Sequence, residues 1–245
     1  MQVVVVVPTY NEVDNIATLC ERTRSALPDA TILVVDDASP DGTAAAVREI
    51  AAADPGVELL ERPVKAGLGA AYRAGFAAAL ERGADVCVQL DADLSHDPAA
   101  LPALVTNIEH GADLTIGSRY VPGGRTVDWP WDRRALSRWG NRYAAGVLGL
   151  AVNDATGGYR AWSSDALRRI GYDEVTADGY GYQVEMTHRL VRAGGRIVEV
   201  PITFSERVAG ESKLSKAIIG EALVLVMRLW WADLRGRRQR RRHGG

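Results

Sequence analysis

Short apolar runs rich in β-branched residues recur along the first half of the chain: Val3 to Val7, TILVVDD (31–37), VELLE (57–61), DVCVQLD (85–91) and DLTIGS (113–118). Between them lie longer stretches with helical spacing, Glu12 to Ala26, Asp41 to Ala53, Leu68 to Glu81 and Pro98 to His110. A strand that is apolar along its whole length must be covered on both faces, as in a parallel sheet flanked by helices. The pattern therefore predicts an α/β fold. With 245 residues, 47% of them hydrophobic, the chain can bury one full core. In open α/β sheets, ligands bind beyond the carboxyl ends of the strands. Three such ends carry unusual chemistry: Pro8 to Glu12, Asp36 with Asp37, and Asp91 with Asp93.

Several functional classes are disfavoured. The formal net charge is only -2, so no global basic field points to nucleic acid, although the last residues, RGRRQRRRHGG, concentrate positive charge. Cys20 and Cys87 have no CxxC spacing and sit in apolar segments, which predicts buried free thiols rather than a disulfide or zinc site. No basic region precedes the apolar start and no small-residue cleavage site follows it, so a signal peptide is not expected and the predicted location is the cytoplasm. The position of a dinucleotide-binding glycine fingerprint, directly after the first strand, is taken by PTYNE. A P-loop and a GxSxG elbow are also missing, and no His-Cys pairing marks a nucleophile.

Asp91 and Asp93, in LDADLSHDP, follow a strand whose period of two sends both side chains to one side. Paired carboxylates repel unless a cation intervenes. Mg²⁺ or Mn²⁺ takes oxygen ligands, commonly one or two carboxylates plus substrate phosphates, so this pair is a candidate for a metal-bridged diphosphate. A helix-capping turn through His96, Asp97 and Pro98 is the plainer reading of such a pair alone, but its position after the fourth strand favours the metal. Asp36 and Asp37 have two roles open: turn chemistry around SPDG, or acceptors for ribose hydroxyls or a base edge.

After Tyr120 the alternation stops. YVPGGRTVDWPWDRRALSRWGN is long, irregular and rich in Trp and Arg, which predicts an ordered binding loop. A helix from Ser137 to Leu150, the loop NDATGGYR, a helix around Gln183 to Ala193, the strand RIVEVPITF and a last helix follow. Arg119, Arg133, Arg134, Arg138, Arg207 and Lys213 are candidate cations for phosphate, with Arg suited to forked contacts. For Arg133 and Arg134 a solvated helix start is the alternative, with binding favoured. Asp154, Thr156 and Arg160 either serve a site or build a glycine turn with Arg160 paired to Asp154. Glu185 and Arg189 make an i, i+4 helical pair.

In this order, PTYNE, VVDDASPDGT, KAGLGAAYRAG, LDADLSHDP, IGSRYVPGG, NDATGGYRAW and ERVAGESKL closely resemble the polyprenyl-phosphate (dolichol-phosphate) mannose synthases of the GT-A-type family 2 glycosyltransferases, from Val3 to about Leu214. The resemblance implies a single GT-A-type domain over residues 1–213 with an acceptor loop at 120–138, then an amphipathic helix and basic tail at 214–245. It implies an inverting transfer of mannose from GDP-mannose to a polyprenyl monophosphate, giving a β-linked product, with Mg²⁺ or Mn²⁺. Pro8, Tyr10, Glu12 and Asp37 would bind the guanosine part; Asp91, Ala92 and Asp93 the donor and metal. Arg119, Arg207 and Lys213 would contact phosphates or sugar, and Arg119, Arg133 and Ser137 the acceptor phosphate. Catalysis would rest on Asp91, Asp93, Arg119 and Arg133. Ser95 stands where some relatives carry a metal-supporting glutamine. UDP-glucose or another donor, or a non-catalytic nucleotide-sugar-binding subunit, are the alternatives.

Toward the C-terminus, the longest stretch uninterrupted by charge between Glu221 and Arg228 is six residues, far below the ~20 a membrane span needs. Ile218, Ala222, Leu225 and Leu229, with Trp230 and Trp231, suit a helix lying on an apolar surface, either a membrane or the protein's own core. Peripheral attachment at the cytoplasmic face of a membrane, with a possible membrane-protein partner, is the expectation. Each basic tail residue near an anionic surface adds roughly 1 kcal/mol. Truncation after Leu234 is accordingly predicted to weaken binding to anionic vesicles at low salt, measured by co-sedimentation; unchanged binding would remove the tail from that role.

Overall fold

The computed structural model describes residues 1–206 and 216–243, with the backbone alone for 216–219, 221–222 and 236–243. In chain order the elements are β1 (Val3–Thr9), α1 (Val13–Ala26), β2 (Thr31–Asp36), α2 (Thr43–Ala53), β3 (Val57–Glu61), α3 (Leu68–Glu81), β4 (Val86–Gln89), α4 (Leu101–Glu109) and β5 (Leu114–Ser118). There follow β6 (Arg125–Thr126), α5 (Trp131–Leu148), β7 (Arg160–Ser163), α6 (Ser164–Ile170), α7 (Gly179–Arg192), β8 (Ile197–Pro201), β9 (Thr203–Phe204) and α8 (Lys216–His243). One sheet has the order β3-β2-β1-β4-β7-β5-β8, and β6 pairs with β9 in a small ribbon.

The alternation of side chains along each strand divides the core into two layers. Val4, Val6, Leu33, Val35 and Cys87 face one side, with Tyr72 and Phe76 of α3 and Val184, Met186 and Leu190 of α7. Val5, Val7, Ile32, Val34, Val86 and Val88 face the other, under Ile16 and Leu19 of α1, Val47 of α2 and Leu101, Leu104 and Val105 of α4. The strands are apolar on both faces because both are covered. Cys20 and Cys87 are buried free thiols; burial pushes them up to about 11 and about 12.

Two elements depart from expectation. The loop NDATGGYR continues into β7, which enters the sheet between β4 and β5 and is antiparallel to both. Its four residues, RAWS, are too few for a period to stand out, and its first is an arginine, an unusual residue for a sheet interior. The irregular segment also ends early: α5 begins at Trp131, directly after Pro130, rather than at Ser137. Asp132 in its first turn complements the helix dipole.

Helix α3 crosses β1 very closely. A Cβ at Gly75 would stand 2.3 Å from Val6 Cγ1 and 3.1 Å from Val35 Cγ2. Gly to Ala in a helix ordinarily stabilises by about 1 kcal/mol. Here overpacking dominates, and Gly75→Ala should lower stability by about 1–3 kcal/mol in urea unfolding; a gain would show that α3 can lift off the sheet without loss.

Candidate active site

The sheet order makes β2, β1 and β4 neighbours, so the three polar strand ends meet at one rim. Each of the three loops leaving it holds one non-glycine residue in left-handed backbone: Asn11 (φ 61°), Ala38 (φ 57°) and Leu94 (φ 59°). Conformations of this kind cost of order 1 kcal/mol and persist where surroundings over-determine them, commonly at functional sites. Hydrogen bonds supply that determination. Asp36 accepts from Thr9 Oγ1 at 2.9 Å, from Ser39 Oγ at 2.6 Å and from Ser39 N at 2.9 Å. Asp36 is therefore the internal brace of the rim; the expectation of a spare acceptor for ligand does not hold for it. Asp41 accepts from Thr43 and from Val13 N, tying the second loop to α1. Asp37 lines the cleft, pairs with Arg62 at 2.6 Å and accepts from Ala66 N at 3.2 Å.

At the end of β4, Asp91 Oδ1 accepts from the Tyr72 hydroxyl at 2.9 Å. Opposite Oδ2 the backbone is Gly158, where a Cβ would come to 3.0 Å. Burial, then the Asp91 charge, keeps the Tyr72 phenol protonated far above its usual range, so it stays a donor. Asp93 is 7% exposed and accepts from Ser95 N at 3.1 Å. His96 Nδ1 lies 3.9 Å from Asp91 Oδ2 and has no hydrogen-bond partner among the described residues. Burial pushes the His96 pKa down, against the pull of Asp91 and Asp93, so the ring is neutral at pH 7.

Two carboxylates at a cleft are the hard oxygen set that Mg²⁺ or Mn²⁺ takes together with substrate phosphates. Among the described residues no group of three or more His, Cys, Asp or Glu side chains could hold an ion unaided. The residues present thus fit an ion whose coordination a phosphate-bearing ligand completes.

The cationic side is organised by a buried pair. Arg119 donates from Nε and Nη2 to Asp154 at 2.7 Å each, and its backbone N donates to Asp154 as well. Burial opposes charge on both partners, yet their mutual attraction wins, raising the Arg119 pKa above its ordinary value and holding the Asp154 carboxyl below the carboxylate range. Arg160, one proposed partner of Asp154, donates instead to the carbonyls of Ala155, Gly157 and Gln183 and to Thr187 Oγ1. Burial lowers its guanidinium to about 10, so it remains charged at neutral pH. Thr156 accepts from Arg119 Nη2 and exchanges two bonds with Asn141 of α5. Arg133 pairs with Glu206 at 2.7 Å and lies 4.2 Å over the Trp129 ring; its Nε is buried with no hydrogen-bond partner among the described residues. Ser137 Oγ accepts from the Tyr120 hydroxyl at 2.6 Å.

These groups surround a cleft of about 1090 Å³, whose walls include Pro8, Tyr10, Glu12, Asp37, Asp91, Ala92, Asp93, Arg119 and Arg133. A second, mainly apolar pocket of about 100 Å³ lies between α5, α7 and α8 and is lined by Leu136, Ser137, Trp139, Tyr143, Val184, Leu223 and Val226. Arg119, Trp129 and Arg133 wall both spaces. Arg134 donates to Trp129 O and Arg138 stacks toward Tyr120, and neither lines the cleft. Arg207 and Lys213 lie outside the described residues. Glu185 pairs with Arg189, as the spacing predicts. Tyr72, Gly158, Lys65 and Trp129 were not singled out by sequence. Lys65 sits 3.5 Å over the Tyr10 ring; only tertiary contact brings these four to the site.

The family model of glycosyl transferase family 2 matches residues 4–171. The chain is 51% identical to the undecaprenyl-phosphate mannosyltransferase of Micrococcus luteus, covering 97% of this chain and 99% of that protein. It is 48% identical to the polyprenol monophosphomannose synthase of Mycolicibacterium smegmatis, over 97% and 89% of the two chains. With the dolichol-phosphate mannosyltransferase of Pyrococcus furiosus the identity is 36%, covering 94% of this chain and 64% of that one. Among solved structures, glucosyl-3-phosphoglycerate synthase from Mycobacterium tuberculosis, in complex with Mn²⁺, UDP-glucose and phosphoglyceric acid, superposes with a TM-score of 0.68 at 20% identity, over 94% and 79% of the chains. That likeness establishes a shared fold.

Removing one partner of a buried ion pair leaves the other charge uncompensated, so Asp154→Asn should cost about 3 kcal/mol at pH 7. Because the folded-state pKa of Asp154 is depressed, its contribution is complete above the unfolded value near ~4 and is lost as pH falls through the folded value. Urea unfolding should therefore show the wild-type advantage shrinking below about pH 4. An advantage that persists unchanged in acid would assign the effect to packing.

Proposed function

The chain belongs to glycosyl transferase family 2, and from that premise we propose that it moves mannose from GDP-mannose to a polyprenyl monophosphate, with inversion at the sugar carbon. The observation that carries this reading is the shared wall of Arg119, Trp129 and Arg133. On one side lies a polar cleft large enough for a sugar nucleotide; on the other, an apolar pocket of the kind an isoprenoid chain would enter. A phosphate at that wall would face both arginines, with its lipid ester directed into the apolar pocket and its attacking oxygen toward the polar cleft. The names of the relatives in Micrococcus and Mycolicibacterium point to the same acceptor and sugar.

In this reading, Pro8, Tyr10, Glu12 and Asp37 hold the guanosine, with the Tyr10 ring steadied by Lys65. Asp91, Ala92 and Asp93 hold the donor, and Arg119, Arg207 and Lys213 its phosphates or sugar. Asp91 and Asp93 would hold Mg²⁺ or Mn²⁺, whose charge would offset that of the departing diphosphate. Arg119 is clamped by Asp154 and so is already aimed. Arg133 would exchange Glu206 for phosphate and give its buried Nε a partner, with Ser137 beside them. A phosphate monoester is ionised near neutral pH, so it attacks the sugar carbon without a protein base. The protein's work is alignment and charge compensation.

The relation to a membrane follows from the acceptor. No helix among the described residues is long and apolar enough to cross a bilayer. On α8, Leu229 and Trp230 pack on the protein's own core, as one of the two readings of that helix anticipated; Ile218 and Ala222 lie outside the described side chains. The opposite face exposes Val224, Met227, Arg228 and Trp231 at helical spacing, with Val224 and Arg228 at the wall of the cleft, and α5 exposes Trp131 and Trp139. Apolar and cationic groups mixed in this way suit peripheral attachment to an anionic bilayer.

Labelled GDP-mannose, a short polyprenyl phosphate and Mg²⁺ or Mn²⁺ should yield a lipid-linked, acid-labile mannose, and Asp93→Ala should lower the rate at least ~100-fold. GDP should raise the melting temperature by a few degrees, and by more than UDP does. Preferential stabilisation by UDP with transfer from UDP-glucose would replace the donor; an indifferent Asp93→Ala variant would remove the enzyme.

A further inference from the structure

The helices that wall the apolar pocket are joined at one charged node. Arg192, the last residue of α7, donates from Nη2 to the carbonyl of Leu148, the last residue of α5, at 2.7 Å. The same guanidinium reaches Asp233 Oδ2 of α8 from Nε at 2.9 Å and from Nη2 at 2.6 Å. Nε2 of His188, one turn earlier on α7, lies 3.1 Å from that oxygen. One arginine thus binds α5, α7 and α8 together. Its charge also faces the C-terminal ends of two helices, where the dipoles favour a cation.

The node shares helix faces with the pocket. On α5 the lining residue Ala144 is four positions before Leu148; on α7 Val184 is four before His188; on α8 Val226 is seven before Asp233. Spacings of four and seven put residues on the same side of a helix, one and two turns apart. The node therefore sits directly beneath the pocket on every one of its three helical walls. Asp233 is held firmly: burial alone would raise its carboxyl, but the bonds from His188 and Arg192 keep it below the carboxylate range. The carboxylates of the donor rim stand on the ends of β1, β2 and β4, while α7 and α8 reach the same cleft higher up, through Tyr180, Gln183, Val224 and Arg228 rather than through the node.

We propose that Arg192 and Asp233 are positioning residues for the acceptor: they set the spacing of α5, α7 and α8, and so the width of the apolar pocket, without touching either substrate. This rests on reading that pocket as the isoprenoid site. Neither residue lies within the span matched by the family model, which ends at 171.

The test uses the full-length protein with Asp233→Asn, Arg192→Gln and the double variant. Binding of farnesyl phosphate is followed by tryptophan fluorescence, since Trp129 and Trp139 line the pocket, and GDP binding is followed by calorimetry. Each single variant should weaken farnesyl phosphate binding roughly tenfold and raise the acceptor KM in step, with GDP affinity and kcat unchanged. The double variant should be little worse than either single, because one interaction has been removed. Asp233→Glu should recover part of the loss. Unchanged acceptor affinity, or acceptor and GDP binding weakened together, overturns the proposal, the second outcome revealing a general loss of structure. Wild-type protein that binds no farnesyl phosphate overturns the acceptor reading itself, and the role of the node with it.

Discussion

Burial of β1, β2 and β4 on both faces is the constraint from which the rest follows. With helices above and below, those strands can carry polar groups only where they run out of the sheet. The pairings β1 with β2 and β1 with β4 then bring three such ends side by side. Acidic groups at 37, 91 and 93 share one rim because β1 joins their strands in the sheet, although the first and last are far apart in sequence. Left-handed residues at 11, 38 and 94 are the local consequence, as each loop must turn sharply to keep its polar groups on the rim. Asp36 and Asp41 hold those turns and are spent on doing so.

The opposite wall obeys a different logic. Arg119 is nine-tenths and more removed from solvent, a costly position for a charge unless it is paired and hydrogen-bonded. Asp154 meets that demand by accepting three hydrogen bonds from Arg119, and a fourth from Gly157 N fixes the carboxylate itself. In return the arginine has a fixed orientation, ringed by Tyr120, Trp129 and Phe204 at 5.1, 5.7 and 5.5 Å. Preorganised charge of this sort loses little reorganisation energy when an anion arrives. Thr156 and Asn141 carry the anchorage into α5, linking the polar cleft to the apolar pocket. The node at Arg192 and Asp233 does for the far ends of the helices what Asp154 does for the arginine.

The limits of sequence reading have particular causes. A strand buried on both faces announces itself by continuous apolarity, so β1 to β5 were legible; β7, with four residues and a leading arginine, has no period to read. Asp36 and Asp37 are adjacent and chemically identical, yet one braces a loop and the other faces the cleft. Their difference is the direction of a side chain, which depends on Thr9 and Ser39 coming near. Asp154 and Arg160 looked like partners by proximity along the chain, but Arg119, thirty-five residues earlier, reaches the carboxylate first.

Sequence alone determined the layered α/β architecture, the strand ends at which chemistry collects, and the family, because periodicity and ordered motifs are properties of a one-dimensional string. Tertiary structure alone decided which carboxylates face the cleft, which guanidinium is locked and by what, and that an apolar pocket opens beside the wall of Arg119, Trp129 and Arg133. Those outcomes depend on contacts between residues distant in the chain, where burial and hydrogen bonding compete for each polar group and the spacing of residues carries no record of the result.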